Sequence, residues 1–394
     1  MKGWQLIKLG DCCEIGRGSS PRPINDEAYF YKGTIPWIKI ADATASYKYI
    51  YETKEYVNDY GASFSRKLPP GSLIVAASGT LGFAIFLGVE GCVHDGWLYF
   101  KDIDQKKLDK QFLYYLLNTL TKSFNSLSYG AAIQNINTDI LRNTKFRLPP
   151  VRSQKNIAAI LSAYDELIEN NKRRITLLEK MAEEIYREWF VRLRFPGYEK
   201  VKVLKGVPEG WEVKKLGSVL ELCYGKALKE DDGMPGKYHV YGAGGVVGTH
   251  NEALVKTPGL IVGRKGNVGS VYFADRGFFP IDTVYFVKSD LPNSFLYFLL
   301  RSMNFINNDA AVPGLNRGQA YSNQFFLPSD SLIREFAKVV NPQFEMKRVL
   351  TRQNEKLTAT RDLLLPRLIS GKLSVENLDI QFPPSMVEEV KAVP

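Results

Sequence analysis

The sequence predicts an α+β protein: two similar α/β domains in a pseudo-two-fold arrangement, separated by two long antiparallel coiled-coil helices. Three observations predict it. The 394-residue chain is written twice. Each copy mixes short β-rich runs with Gly and Pro punctuation. Each copy then runs into a long stretch of helical period.

The repeat is carried by short strings in a fixed order. Gly3-Trp4, Leu9-Gly10 and Gly18 return as Gly210-Trp211, Leu216-Gly217 and Gly225. Ser78-Gly79-Thr80-Leu81-Gly82 returns as Lys265-Gly266-Asn267-Val268-Gly269, and His94-Asp95 as Ile281-Asp282. Phe112–Leu117 matches Phe295–Leu300, and Ala132–Asn137 matches Ala311–Asn316. A repeat of this length is a domain, not a solenoid unit.

In the first copy, Ile35–Ile40 and Leu73–Ala77 read as strands and Gln111–Leu120 as an amphipathic helix. Pro149-Pro150 halts the chain, with Ser153 as the expected N-cap of a helix reaching Arg192. There Ile157, Leu161, Tyr164, Ile168, Asn171, Ile175, Leu178, Ala182, Ile185 and Trp189 alternate at spacings of four and three. That is a heptad seam with one polar break, Asn171. About 40 helical residues span roughly 60 Å, and an amphipathic helix that long needs a partner. The partner is expected in the same chain, where Phe336, Val340, Leu350, Leu357, Leu364 and Leu368 mark a second helix; pairing between chains is the alternative. Pro366 is expected to disrupt that helix and Gly371 to close it. The boundaries are then 1–152 for the first domain, 153–192 for the central helix, 193–329 for the linker and second domain, 330–374 for the C-terminal helix, and 375–394 for a tail expected to be mobile.

A net charge of +10 and a pI near 9.2 favour a polyanionic partner such as nucleic acid, the alternative being a merely soluble basic protein. Cys12, Cys13, Cys92 and Cys223 have neither metal-like nor disulfide-like spacing, which fits a reducing cytoplasm. The N-terminus has no signal-peptide apolar region and no apolar run is long enough for a bilayer, so no membrane is expected.

Three strings resemble the specificity subunit of type I restriction-modification enzymes. Glu188-Trp189-Phe190-Val191 with Phe195-Pro196-Gly197 is similar to that family's exit from the central helix. Pro208-Glu209-Gly210-Trp211 with Lys215-Leu216-Gly217 is similar to its entry into a target-recognition domain, and Leu364–Leu373 to its C-terminal signature. One departure is Gln154: Arg334-Glu335 stand near its place before the second helix. The resemblance implies two target-recognition domains, each reading one half of a split sequence in double-stranded DNA. It further implies that the helices set the gap and dock two methyltransferase subunits, with restriction/translocase subunits completing the assembly. It implies no catalysis and no cofactor in this chain.

The residues agree that the chain is not itself an enzyme. Asn341-Pro342-Gln343-Phe344 lacks the second proline of an amino-methyltransferase tetrapeptide. Gly242–Gly248 lacks dinucleotide-binding spacing and is expected to be a turn-rich loop. His94, His239 and His250 are too scattered for a metal cluster, and Asp95, shared with Asp282, is expected to be a structural acceptor. Two other readings stay open: a stand-alone DNA adenine methyltransferase with fused recognition domains, and a two-headed protein-binding scaffold without a DNA role.

The expected DNA contacts are module-specific polar residues on a shared frame. Arg264, Lys265 and Asn267 suit guanine and adenine edges, and their counterparts Ser78 and Thr80 offer hydroxyls; the alternative is an ordinary hairpin turn. Gln134, Asn135 and Asn137 match Asn316 and Arg317 as amide-rich strings suited to adenine, the alternative being Asn caps on local backbone. Lys39, Lys226 and Lys229 suit phosphates or are simply solvated. Trp37 and Tyr129 either stack on an extruded base or lie in the core.

Overall fold

The structure, a computed structural model, describes residues 3–79, 81–128, 136–228, 236–305 and 314–391. It divides into two compact units, one of residues 1–171 with 353–394 and one of residues 172–352. The division passes through both long helices, which therefore belong to both units.

In the first unit a five-stranded sheet has the order Glu14–Arg17, Trp97–Lys101, Leu73–Ala76, Ala84–Leu87, Tyr49–Ile50. The strand Leu73–Ala76 is buried on both faces. Leu73 and Val75 meet one core with Phe112, Leu116, Ile157 and Leu161, while Ile74 and Ala76 meet another with Ile38 and Trp97. A strand covered on both sides needs side chains that are apolar at every position, which is why its sequence does not alternate. A second sheet runs Glu55–Val57, Ile35–Ile38, Gly91–Val93, Arg66–Leu68, and Gln5–Lys8 pairs with Lys145–Leu148.

The second unit repeats this plan. Glu221–Tyr224, Val284–Lys288, Gly259–Gly263 and Val271–Ala274 lie in the same order as their first-unit counterparts. Tyr238–Gly242 pairs parallel with Phe278–Pro280 as Ile35–Ile38 does with Gly91–Val93. Glu212–Lys215 pairs with Gln324–Leu327 before the second long helix. Gly242–Gly248, expected as a loop, is instead a hairpin. Its two strands, Tyr238–Gly242 and Gly245–His250, turn at Ala243-Gly244, and Gly245 takes the positive φ of 102° that the tight reversal needs.

The long helices are Val151–Tyr186, followed by a wider π turn at Arg187–Val191, and Asp330–Ile369. The first begins directly after Pro150, so Ser153 lies inside it and is not its cap. The fully buried Gln154 ties that end down: its amide donates to the Pro149 and Lys107 carbonyls, and its oxygen accepts from the Asp109 N–H. Counting each helix from its first residue, the buried Ile333 takes the place of Gln154 in the second unit. Pro366 does not disrupt the second helix. Only one hydrogen bond is lost so near the end, and Leu368 and Ile369 are held in the first core. Gly371, at φ 73°, closes the element as expected.

Within each unit the helices run antiparallel. In the first, Asp165 bonds Arg361 (2.8 Å) and Asn171 donates to Asn354 (3.0 Å), whose own amide donates to the Ile168 carbonyl (3.2 Å). In the second, Lys347 pairs with Glu179, and Phe336 lies against Tyr186 and Trp189. Of the segment 375–394, expected to be mobile, the described residues 375–391 depart from that expectation. Val375 and Met386 are buried in the first core beside Ile157, Leu368 and Ile369, and the Ser385 hydroxyl donates to Glu166.

The two units solve one packing problem differently. In the first, a buried polar cluster joins strand and helices. Lys48 donates to Ser162 (2.9 Å) and lies over the rings of Tyr114 and Tyr115, and Asp165 accepts from Tyr115 (2.5 Å), Tyr47 (2.7 Å) and Arg361. Burial, then the neighbouring Asp165 carboxylate, pushes the Tyr47 and Tyr115 phenols well up, so both stay protonated donors. At the matching helix positions the second unit has Phe344 for Asp165 and Ala182 for Arg361, packed with Phe273, Tyr297 and Phe298. Arg361→Ala is expected to cost the first unit about 3–5 kcal/mol, because a buried carboxylate loses its cation. Adding Asp165→Asn should recover part of that loss, read as the urea midpoint of each variant.

Candidate nucleic-acid interface

The strongest candidate site lies in the second unit, where the two loops singled out in the sequence come together. The strands Gly259–Gly263 and Val271–Ala274 are joined by a loop in which Gly266 and Gly269 both have φ 76°. The backbone there needs glycine, leaving Arg264, Lys265 and Asn267 to vary around it. The segment Gly314–Gly318 lies alongside: Lys265 bridges to Gly314, and the Leu315 N–H donates to the Arg264 carbonyl (2.8 Å). Between them opens a cleft of about 650 Å³ whose cationic walls are Arg264, Lys265 and Arg317.

Tyr224 lines this cleft between Arg264 and Arg317. It ends the strand Glu221–Tyr224, pairs with Tyr285, and is 48% exposed. The Arg317 and Arg264 guanidinium groups lie 4.4 and 4.9 Å from its ring centroid. Stacking on an aromatic ring fixes the plane of each fork without consuming its outward donors. Arg264 is further held by its bond to the Asp282 carbonyl (3.1 Å), while Lys265 reaches the Asp282 carboxylate at 3.9 Å. The cleft therefore presents oriented cations beside an exposed ring, a combination suited to an anionic, base-bearing ligand. Sequence reasoning did not single out Tyr224; its repeat position, next to Gly225 at a strand end, was the available signal.

The other expected contacts divide. Thr80, Gln134 and Asn135 lie outside the described residues, as do Tyr129 and Lys229. Asn137 and Asn316 are N-caps: their side-chain oxygens accept from Ile140 N–H (2.8 Å) and Gly318 N–H (2.8 Å). Both amides thus take the capping alternative, with the oxygen a bidentate adenine contact would use already engaged. Ser78 is half-buried on the first-unit loop, where Gly79 and Gly82 have φ 71° and 78° as their counterparts do. Lys39 pairs with Glu55 (2.5 Å) and would have to exchange that carboxylate for a phosphate. Lys226 is exposed beside the cleft strand, and Trp37 is fully buried, which takes it out of base stacking.

Asp95 behaves as a structural acceptor. It receives bonds from Ser20 (3.0 Å) and Arg22 (2.5 Å). Partial burial would raise its pKa, but the Ser20 hydroxyl and the Arg22 charge outweigh this and hold the carboxyl below its usual range. No group of His, Cys, Asp and Glu among the described residues has the spacing of a metal site. The four cysteines are unpaired, and burial pushes the Cys13 thiol up to about 12. No described helix is long and apolar enough to cross a membrane.

Two α/β units on one plan, each carrying a variable loop on a glycine-fixed frame, define a modular recognition protein. The sequence model of the type I restriction modification DNA specificity domain matches residues 1–180 and 208–328, and the chain belongs to that family. It is 27% identical to the type I restriction enzyme MjaIX specificity subunit of Methanocaldococcus jannaschii, over 96% of this chain and 95% of that one. It is 31% identical to the putative type I specificity subunit S.MgeORF438P of Mycoplasma genitalium over 36% of this chain and 37% of that one. The crystal structure of the type I restriction-modification S subunit from M. genitalium shares its fold, with a TM-score of 0.61 at 18% identity, over 93% of this chain and 96% of that chain.

Two outcomes test these local assignments. Asn316→Ala should cost about 1 kcal/mol of stability and Asn316→Asp should restore it, as expected of a cap; equal stability of all three proteins in urea would remove that role. Burial holds His94 below the ordinary imidazole pKa, so its folded form binds a proton less readily than the unfolded chain. The first unit should accordingly lose stability as pH falls below about 6.5, and His94→Gln should flatten that slope.

Proposed function

We propose that this chain is the non-catalytic subunit that sets the sequence specificity of a type I restriction-modification complex, reading a bipartite site in double-stranded DNA. Residues 1–152 and 193–329 are the two target-recognition domains, each reading one half-site. The observation that carries this reading is the pair of equivalent loops, alike in backbone and different in side chains. Arg264, Lys265 and Asn267 stand where the first unit has Ala77, Ser78 and Thr80. Two readers of different bases need that combination, whereas a single active site needs one set of chemical groups. In the second unit Arg264 and Arg317 supply forks for base edges and phosphates, with Lys226 and Lys265 adding salt-dependent affinity.

The helical segments 153–192 and 330–374 act as the ruler and as the docking surface for two methyltransferase subunits, with restriction/translocase subunits completing the assembly. What supports docking is the exposed apolar side chains that the helices carry away from their seam: Leu167, Leu177 and Met181 on the first, Met346, Val349 and Leu363 on the second. What supports the ruler is helix length, since rigid spacing on one duplex turns two weak readings into one strong one. Removing one heptad from each helix, between Ile157 and Trp189 and at the facing position of the second, takes away about 10 Å. The methylated motif should then keep both halves and lose roughly three base pairs of gap at 3.4 Å per pair. Mapping methylated bases in DNA from cells expressing the variant with its methyltransferase checks this, and an unchanged gap would refute the ruler.

A further inference from the structure

The second-unit cleft owes its orientation to Arg264, yet the matching residue of the first unit is Ala77, which has no charge to offer. The match is structural as well as sequential. The N–H groups of Ala77 and Arg264 donate to the equivalent Gly96 and Thr283 carbonyls (2.8 and 2.9 Å), and their carbonyls accept from Ile136 and Leu315 (2.9 and 2.8 Å). Likewise Arg17 and Tyr224 occupy equivalent strand positions, opposite Leu98 and Tyr285. The first unit thus lacks the arginine on the loop and gains one on the facing strand.

That exchange preserves the position of the guanidinium. Arg17 Nε donates to the Asp95 carbonyl at 2.7 Å, and Arg264 Nη1 donates to the carbonyl of Asp282, the repeat counterpart of Asp95, at 3.1 Å. Two arginines from different walls are therefore anchored on the same main-chain oxygen of the common frame. Anchoring through Nε leaves the two terminal nitrogens of Arg17 at the outer end of the group, and no side chain among the described residues bonds to them. An exposed arginine held at its Nε end presents a two-pronged donor in a fixed plane, the geometry that pairs with O6 and N7 of guanine.

We propose that Arg17 is a specificity-determining residue of the first half-site, reading a base edge in the major groove as the counterpart of Arg264. The inference rests on the reading of the second-unit cleft, and of the equivalent loop and strand end of the first unit, as DNA-facing. It deepens that reading, because it gives the first unit a cation that its loop does not carry. It also explains the exchange: an arginine brought in from the opposite wall approaches a base from another direction, so the two halves read different sequences with one anchor.

The test uses the full chain in complex with its methyltransferase subunits and a pool of duplexes of random sequence, from which bound DNA is selected and sequenced. Arg17→Ala should erase the base preference at one position of one half-site, leave the other half intact, and weaken binding to the parent motif roughly 5- to 150-fold. Arg264→Ala should do the same in the opposite half. Arg17→Lys keeps the charge and loses the fork; selection of the parent motif with parent affinity by this variant overturns base reading. A uniform loss across all sequences with a shallower salt dependence after Arg17→Ala assigns a phosphate contact and also overturns it. If Arg264→Ala alters the motif and Arg17→Ala does not, this inference fails while the cleft reading stands. If neither does, the cleft reading itself fails. Since Arg17 is exposed, an unchanged urea midpoint for each variant separates these results from misfolding.

Discussion

Neither α/β layer is complete without helix segments drawn from both long helices. In the first unit Ile157 and Leu161 from the start of one helix, with Leu368 and Ile369 from the end of the other, close the core over Phe112 and Leu116. In the second, Ala182 and Tyr186 from the end of the first helix join Ile333, Phe336 and Val340 from the start of the second. Burial of these side chains contributes on the order of 1.5–3 kcal/mol each for the larger ones, so the helices are held by tertiary packing rather than by helical propensity. The Asn171–Asn354 pair adds direction. A polar pair inside a seam is satisfied in one register only, so it selects the alignment of the helices at some cost in stability.

On that support the recognition surface can diverge without disturbing the fold. Gly79 and Gly82 in one loop, and Gly266 and Gly269 in the other, hold positive φ angles that side chains with a Cβ resist. The same tolerance operates in the core, where the ionic cluster around Asp165 in one unit is replaced by aromatic packing around Phe344 in the other. Buried ion pairs and apolar packing of similar volume have comparable net stability, so neither solution is forced by folding.

Much of the architecture was legible in the sequence because spacing encodes it. The heptads from Ile157 to Ile185, the placement of Gly79 and Gly82 matched by Gly266 and Gly269, and the strand at Leu73 survive in the structure because period and glycine placement act locally. Boundaries were less legible. Pro366 reads as a breaker by itself, but tertiary packing of Leu368 and Ile369 outweighs one missing hydrogen bond. The tail reads as mobile because Pro383-Pro384 and its mixed charge break any regular period, whereas the core that takes up Val375 and Met386 is built largely by residues far away in sequence. The cleft was half legible. Its cations could be singled out by comparing the copies, but Asn137 and Asn316 carry the same amide whether they cap a helix or read a base. Tyr224 and Arg17 acquire their meaning from cross-strand neighbours that no local pattern displays.

The first unit is assembled from residues 1–171 and 353–394, with the second unit, 172–352, emerging between them. During synthesis the second unit is therefore the one that can be finished first, while the earlier-made strands wait for Leu368, Val375 and Met386 to leave the ribosome. Such a delay exposes apolar sheet surface to aggregation or to chaperones. A chain that stops short of Leu368 therefore lacks side chains that close the core over its own earlier strands.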